Sequence, residues 1–207
     1  RFLMKKVLLA GLAALTILAG CSSASSGLNS ESKKIDFEGI SFNIPADAES
    51  VDSASSKQNA FADYRIPCSK DYDLYITCQN IGNVQISSQK DADNYIGSMV
   101  LENLMKYELV KEEKIDGFAG PLFIYKIDSS PETATDSTYP FSYYLLVQGT
   151  KGSYVMTISG DFSQEIDKSP KKEVIAALKP DVEQKLDQLC NSLVASLSVS
   201  GESGSAK

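Results

Sequence analysis

The side chains available for chemistry in this sequence are serine, lysine, cysteine and carboxylates, because the chain contains no histidine. Ser87-Ser88-Gln89-Lys90 matches S-x-x-K, a spacing in which a lysine can activate a serine nucleophile. The same spacing recurs twice elsewhere, and the companion motifs S-D-N and K-T-G are missing. We therefore interpret the match as chance and predict that the protein is not an enzyme. A histidine-free hydrolase is the remaining enzymatic alternative.

Two close pairs of carboxylates are candidate ligands for a hard cation such as calcium. They are Asp71 with Asp73, and Asp91 with Asp93. Neither pair lies in a D-x-[DN]-x-[DN]-G loop, so we interpret the first as a solvated turn and the second as helix capping. The sequence predicts neither a metal site nor a cofactor.

Cys21 has a more specific sequence context than any other reactive side chain. It ends the segment Leu18-Ala19-Gly20-Cys21, which resembles the bacterial lipobox, an apolar residue and two small residues before cysteine. In lipobox proteins the thiol receives a diacylglyceryl group and cleavage leaves the cysteine as the first residue. The resemblance implies a lipoprotein attached through Cys21 to the cell membrane, or to the outer membrane if the cell has one.

The residues before Cys21 fit a signal peptide, since Lys5 and Lys6 precede a short apolar run from Val7 to Leu18. A membrane-spanning helix needs about 20 apolar residues, so this run is too short for a permanent span. We therefore divide the chain into a signal peptide (1–20), a flexible Ser-rich tether (21–34), a single domain (35–200) and a disordered tail (201–207).

The charge of the chain restricts its partners. It has 27 acidic and 20 basic residues, and three of the basic residues lie in the predicted signal peptide. Nucleic-acid binding is disfavoured because neutralising phosphates requires a basic patch. Anionic lipid headgroups should also repel an acidic domain, so the lipid on Cys21 must provide the membrane attachment.

The other three cysteines belong to the predicted domain. Cys68 and Cys78 flank the loop of a predicted hairpin on the oxidising side of the membrane, and we predict a disulfide between them. Two unpaired thiols are the alternative. Cys190 lies on the apolar stripe of a predicted helix, where a cysteine usually serves as a small buried hydrophobe.

Hydrophobic periodicity predicts an α+β domain, mainly antiparallel sheet with packed helices. Alternating apolar residues indicate strands at 39–45, 61–67, 74–84, 122–127, 139–148, 153–159 and 196–199. Helical spacing indicates two helices, one from Asp91 to about Tyr107 and one from Lys179 to Ala195 with Pro180 in its first turn.

The pattern of the domain resembles the PsbP-like fold shared by bacterial lipoproteins of the DcrB type. The resemblance rests on the opening Gly39-Ile40-Ser41-Phe42-Asn43-Ile44-Pro45, a mid-chain helix, a Tyr-rich hairpin, and a C-terminal helix closing on Ser196-Leu197-Ser198-Val199. It implies a non-enzymatic accessory or partner-binding protein, and it transfers no functional residue.

Tyrosines on the strands are the candidate partner-binding residues, because tyrosine is enriched at interface hot spots. They are Tyr139, Tyr143, Tyr144 and Tyr154. Around Phe141 to Leu146 both faces of the predicted strand are apolar or aromatic, so each face needs a cover, either a helix or a partner. We expect the domain to bind an envelope protein, with a small-molecule or peptide-binding lipoprotein as the alternative.

Overall fold

The computed structural model describes Leu28 and residues 31–51, 61–99, 105–129, 141–162 and 171–200. The predicted signal peptide, Cys21, Tyr139 and the predicted tail lie outside the described residues. In the described part of the chain, neither helix has the length and apolar character needed to cross a membrane.

A small antiparallel sheet has the strand order β1-β2-β10, formed by β1 (Ser32–Phe37), β2 (Ile40–Pro45) and β10 (Ser198–Val199). β1 begins inside the segment predicted as tether, so that boundary lies too late in the sequence. Ser32 is opposite Pro45 and Lys34 is opposite Asn43. Strand pairing uses backbone groups, so these polar residues join the sheet without apolar side chains.

A seven-stranded antiparallel sheet has the order β3-β4-β5-β9-β8-β7-β6. Its strands are β3 (Glu49–Ser50), β4 (Phe61–Pro67), β5 (Tyr72–Asn80), β6 (Met105–Glu113), β7 (Leu122–Ser129), β8 (Phe141–Gln148) and β9 (Ser153–Phe162). The predicted hairpins are present as β4–β5 and β8–β9. The central contact is β5 against β9, which joins these two hairpins.

Two helices pack on opposite faces of this sheet, α1 (Gln89–Met99) and α2 (Lys171–Ser196). The prediction that the first helix extends to Tyr107 is wrong, because Tyr107 lies in β6 opposite Ile127. The second helix begins before the predicted start, and Pro180 lies in its interior. Proline cannot donate the helical hydrogen bond, but Val174 and Leu178, in the turns around it, pack against the core.

Each helix covers a separate core. The α2-side core contains, from the sheets and α2, Phe42, Leu74, Ile76, Tyr143, Leu145, Met156, Leu186, Leu189 and Leu193. The α1-side core contains Ile86, Ala92, Ile96, Phe123, Tyr125, Ile127, Leu146 and Val155. β8 contributes to both cores, so the two apolar faces predicted for this strand are each covered by a helix of the same chain.

The predicted turn between β8 and β9 is tight enough to require glycine at one position. Gly152 has φ +140°, and a Cβ there would lie 2.6 Å from Asn80 Oδ1 and 3.0 Å from the Gly82 carbonyl oxygen. Asn80 Oδ1 is held in place because it accepts the Gly82 N–H at 2.9 Å. Gly82 itself has φ +68° with open space where a Cβ would be.

We therefore expect Gly152→Ala to destabilise the fold more than Gly82→Ala. The first change adds a steric clash to backbone strain and should cost about 2–3 kcal/mol, whereas the second adds strain alone and should cost about 1 kcal/mol. Urea unfolding of the two variants measures the difference. Equal losses of stability would show that the close approach of Asn80 does not constrain the turn.

Candidate interaction surface

Of the tyrosines predicted to bind a partner, the three that the structure describes, Tyr143, Tyr144 and Tyr154, do not form an exposed patch. Tyr143 and Tyr154 are buried, and Tyr144 is only partly exposed beside the α1-side core. The Tyr143 hydroxyl donates to Asp187 Oδ1 at 2.6 Å, and the Tyr154 hydroxyl donates to the Glu38 carbonyl oxygen at 2.6 Å. A tyrosine ring can be buried once its hydroxyl has an acceptor, so these two residues stabilise the domain instead of contacting a partner.

Two further tyrosine hydroxyls from the sheet donate to helix aspartates. Tyr125 donates to Asp93 of α1 at 2.6 Å, and Tyr72 donates to Asp181 of α2. Burial, and secondarily the bond to aspartate, raises the pKa of the hydroxyls of Tyr72, Tyr125 and Tyr143. These hydroxyls therefore remain protonated donors and are poor nucleophiles at neutral pH.

A buried lysine lies beside one of these bonds. The Lys185 ammonium is 3.2 Å from Asp181 Oδ2 and 5.2 Å from the centre of the Tyr72 ring, and Lys185 is only 3% exposed. Burial raises the pKa of the nearby Cys68 thiol to about 11, and the charge of Lys185 offsets this only in part. Because the thiolate is the nucleophilic form, Cys68 is unreactive at neutral pH. The cluster is therefore a paired structural network.

The predicted disulfide is not formed, since Cys68 and Cys78 are both free. In the β4–β5 register Cys78 is opposite Ala62, whereas Cys68 follows Pro67 at the far end of β4. At about 3.3 Å per residue the two cysteines are about 20 Å apart, but a disulfide needs Cα atoms within about 7 Å. Cys190 is buried in the α2-side core, as predicted.

The S-x-x-K serines cap α1. Their hydroxyls donate to Asp91 Oδ2, at 2.9 Å from Ser87 and 2.8 Å from Ser88, and the Asp91 N–H reaches Ser88 Oγ at 3.3 Å. This reciprocal arrangement is a capping box, and the capping interpretation of Asp91 is confirmed. Asp73, from the other carboxylate pair, accepts from Arg65 Nε at 2.8 Å. Within the described residues, no group of three or more potential ligands is arranged to hold a metal ion.

Exposed apolar side chains occur at the end of α1 and along β6. The described residues have four exposed large hydrophobic side chains, and three of them are Met99 (46% exposed), Tyr107 (40%) and Val110 (51%). Gly97 of α1 lies so close to β6 that a Cβ there would be 3.5 Å from the Tyr107 hydroxyl oxygen. We call Met99, Tyr107 and Val110 the edge surface, because β6 is the last strand in the order of the sheet.

The edge surface was not predicted from the sequence, because the start of β6 was predicted to be the end of the first helix. A period-2 signal was present, since Tyr107 and Leu109 alternate with charged residues. Tyr107 also continues the helical spacing of Ile96, Val100 and Leu104, and this longer pattern predicts a helix instead of a strand. In the structure Leu109 packs against the α1-side core, and the Tyr107 and Tyr125 rings are 6.2 Å apart.

An open groove of about 590 Å³ lies beside the end of β6. It is lined by Glu112, Lys114, Phe118, Ala119, Gly120 and Pro121. Its volume falls in the range of small-ligand sites. Such sites use several converging polar groups to orient a ligand, whereas Glu112 and Lys114 supply the charged side chains of this lining. The groove is therefore a weaker candidate site than the edge surface.

Comparisons with known proteins identify similarity at the level of the fold. No protein-family model and no curated protein sequence matches the chain. The solved structure of the Ran-binding protein Mog1p from Saccharomyces cerevisiae is similar with a TM-score of 0.53 and 16% identity, covering 82% of this chain and 95% of that one. A mutant of Mog1 gives a TM-score of 0.52 and 16% identity over 82% and 96%. The solution structure of cyanobacterial PsbP (CyanoP) from Synechocystis sp. gives a TM-score of 0.45 and 12% identity over 88% and 98%.

The similarity to Mog1 and the described topology together confirm the predicted fold class. The chain forms a single α+β domain whose sheets are mostly antiparallel and whose two helices pack on the larger sheet.

The assignment of free cysteines can be tested chemically. We expect peptide mapping without reductant to recover Cys68 and Cys78 on separate, unlinked peptides. In the folded protein Cys78 should react slowly with a thiol probe, because it is fully buried, and it should react quickly in urea. A disulfide-linked peptide containing both cysteines would contradict the strand register.

The buried tyrosines predict a loss of stability at alkaline pH. In the unfolded chain a tyrosine has a pKa of about 10. In the folded chain the pKa values of Tyr72, Tyr125 and Tyr143 are raised, so these hydroxyls keep their protons to higher pH. Above about pH 10 the unfolded state binds fewer protons, so the free energy of unfolding should fall as pH rises. Urea unfolding from pH 8 to 11 measures this slope, and Tyr125→Phe should make it shallower. An unchanged slope in the variant would contradict the assignment.

Proposed function

We propose that this chain is a lipid-anchored, extracytoplasmic accessory protein that has no catalytic activity and binds another protein of the cell envelope. The lipobox sequence ending at Cys21 supports the anchor and the location. The observation that carries the binding function is the edge surface, where Met99 at the end of α1 and Tyr107 and Val110 on the edge strand β6 are all exposed.

The properties of the edge surface suit protein recognition. A partly exposed tyrosine offers a large contact area, and its hydroxyl remains available to a partner. Lys106 and Glu108 flank Tyr107 in the sequence of β6 and are exposed, but in the register with β7 they lie on the opposite face of the sheet from Tyr107. The α1-side face of the strand therefore presents the aromatic side chain, and the other face presents charges.

The fold comparison supports the same class of function. Mog1p is a Ran-binding protein, so a protein with a related fold has another protein as its partner. We extend only this general property to the present chain, because the identity of 16% carries no information about the partner.

The state of the candidate nucleophiles supports a non-enzymatic role. Ser87 and Ser88 are engaged in capping α1, and the pKa of the Cys68 thiol is raised by burial to about 11. Lys185, which would serve as a base only if neutral, forms an ion pair with Asp181. Each group thus has a structural partner or a protonation state that opposes nucleophilic attack.

The groove beside β6 favours one second candidate, a peptide- or small-molecule-binding lipoprotein. Phe118 and Pro121 supply apolar surface there, and Glu112 and Lys114 supply charges. This candidate differs in its critical residues, since it depends on Phe118 and the proposed function depends on Tyr107 and Val110.

Crosslinking in living cells followed by mass spectrometry tests the proposal. We expect the wild-type chain to capture a specific envelope protein, and Tyr107→Lys with Val110→Lys to reduce that capture at least about tenfold. Val84→Lys is the matched control, because Val84 is also an exposed large hydrophobic residue, at 40%, but lies outside the edge surface. A Cys21→Ala variant should leave the membrane fraction and lose the partner.

Each variant must first show wild-type circular dichroism. Capture that survives the edge-surface substitutions but is lost in Phe118→Ala would favour the groove. No captured protein with a folded wild-type chain would reject the proposed function.

A further inference from the structure

β6 has a free backbone edge in the described part of the chain, because it pairs with β7 on one side and with no described strand on the other. The unpaired N–H and C=O groups of an edge strand can pair with a strand from another chain. The charges along β6 indicate which chain this is.

A β-bulge divides β6 into two halves. Leu109 is opposite Tyr125 and Lys111 is opposite Ile124, so Val110 is an extra residue between them. The bulge changes which residues share a face. Before the bulge, Lys106 is opposite Asp128 and Glu108 is opposite Lys126. After it, Lys111 is opposite Ile124 and Glu113 is opposite Leu122. These four β7 residues are every second residue of the strand, so they share one face of the sheet. These four charged residues therefore lie on one face of the sheet, whereas Glu112, the fifth charged residue of β6, is opposite Phe123 on the other face.

We infer that β6 pairs in antiparallel fashion with β6 of a second copy of this chain, about a two-fold axis at the bulge. This inference rests on the proposed function and names the protein that occupies the edge surface. In that register Glu108 is opposite Lys111 of the second copy, and Lys106 is opposite Glu113 of the second copy. The two-fold axis repeats both pairs, which gives four opposite-charge pairs.

The same register continues a charge alternation that already exists within the chain. On the β7 side, Lys106 is opposite Asp128 and Glu108 is opposite Lys126. Across the two-fold axis the charges next to Lys106 and Glu108 would again be opposite in sign. Opposite charges placed directly across a strand pair stabilise it, whereas like charges destabilise it. The ion pair between Lys111 and Glu113, at 2.7 Å within one chain, lies on the same face and joins this network.

The bulge is essential to the complementarity. In a regular strand, a two-fold axis places one residue opposite its own copy. With Leu109 at that position, Glu108 would be opposite Val110 and Tyr107 would be opposite Lys111, so the charge match between Glu108 and Lys111 would be lost. With the bulge, Val110 of each copy lies next to the two-fold axis, where its half-exposed side chain gains a neighbour. Charges and bulges normally discourage an edge strand from pairing with arbitrary strands. In β6 the charges and the bulge disfavour pairing with other strands, but they are complementary to the charges and the bulge of a second copy of β6.

Charge reversal tests the register in the full-length, detergent-solubilised protein by sedimentation at increasing concentration. Glu108→Lys places lysine opposite Lys111 of the second copy, and Lys111→Glu places glutamate opposite Glu108. We expect each single substitution to weaken self-association at least about tenfold, and the double substitution to return it to within about threefold of wild type. A double variant no better than the singles would overturn the register.

Oxidative crosslinking provides a second readout. A Val110→Cys variant should form a disulfide-linked dimer, because the two Val110 residues flank the two-fold axis with an offset of one residue, which places their Cα atoms about 6 Å apart, within disulfide range. Val84→Cys, with similar exposure outside the edge surface, should not. Equal crosslinking of the two variants, or a wild-type protein that stays monomeric at all concentrations, would overturn the inference.

The two proposals fail in distinguishable ways. If the wild-type chain is monomeric but captures a different envelope protein, and Tyr107→Lys with Val110→Lys abolishes that capture, the proposed function stands and self-pairing falls. If neither a second copy nor another protein is captured, both fall.

Discussion

A buried tyrosine hydroxyl needs a hydrogen-bond acceptor, and this requirement determines how the helices lie on the large sheet. Tyr72 and Tyr143 reach Asp181 and Asp187 of α2 on one face, and Tyr125 reaches Asp93 of α1 on the other. Removing Asp93, for example, would deprive the Tyr125 hydroxyl of its acceptor, and the desolvation of an unsatisfied buried donor costs more than the bond itself contributes. The tyrosines therefore serve packing and orientation together, which explains why they are not available to a partner.

The position of α1 follows from which part of the sheet is apolar on both faces. β7 and β8 carry apolar residues on both faces. α2 lies over one face, and α1 covers the other face with Ala92 and Ile96. On β4 and β5 the same face carries Arg65 and Thr77 and needs no cover, as expected for an antiparallel sheet with one solvated face. Because Gly97 near the end of α1 approaches Tyr107 of β6, the exposed Met99 and the exposed residues of β6 belong to the same end of the sheet.

The same architecture explains why the thiols of Cys68 and Cys78 and the ammonium group of Lys185 are held in unreactive states. Cys68 and Cys78 are held at different ends of a strand pair, and burial raises the pKa of both thiols. Lys185 keeps an aspartate partner one helical turn away. These side chains thus serve packing and capping, whereas the exposed charges of β6 are accessible to another strand.

Local patterns in the sequence determined the elements whose stabilising contacts are near in the chain. These include the β8–β9 hairpin with its glycine turn, the capping of α1 at Asp91, and the need to cover both faces of β8. The tertiary structure alone decided the features that depend on distant residues. Tyr72 and its acceptor Asp181 are 109 positions apart, and β5 pairs with β9 across most of the domain. The assignment of Tyr107 to a strand and the burial of Tyr143 and Tyr154 follow from such contacts, whereas the separation of Cys68 from Cys78 depends on the register of the β4–β5 hairpin. Periodicity in a sequence reports which residues share a face, but not which distant strand or acceptor that face will meet.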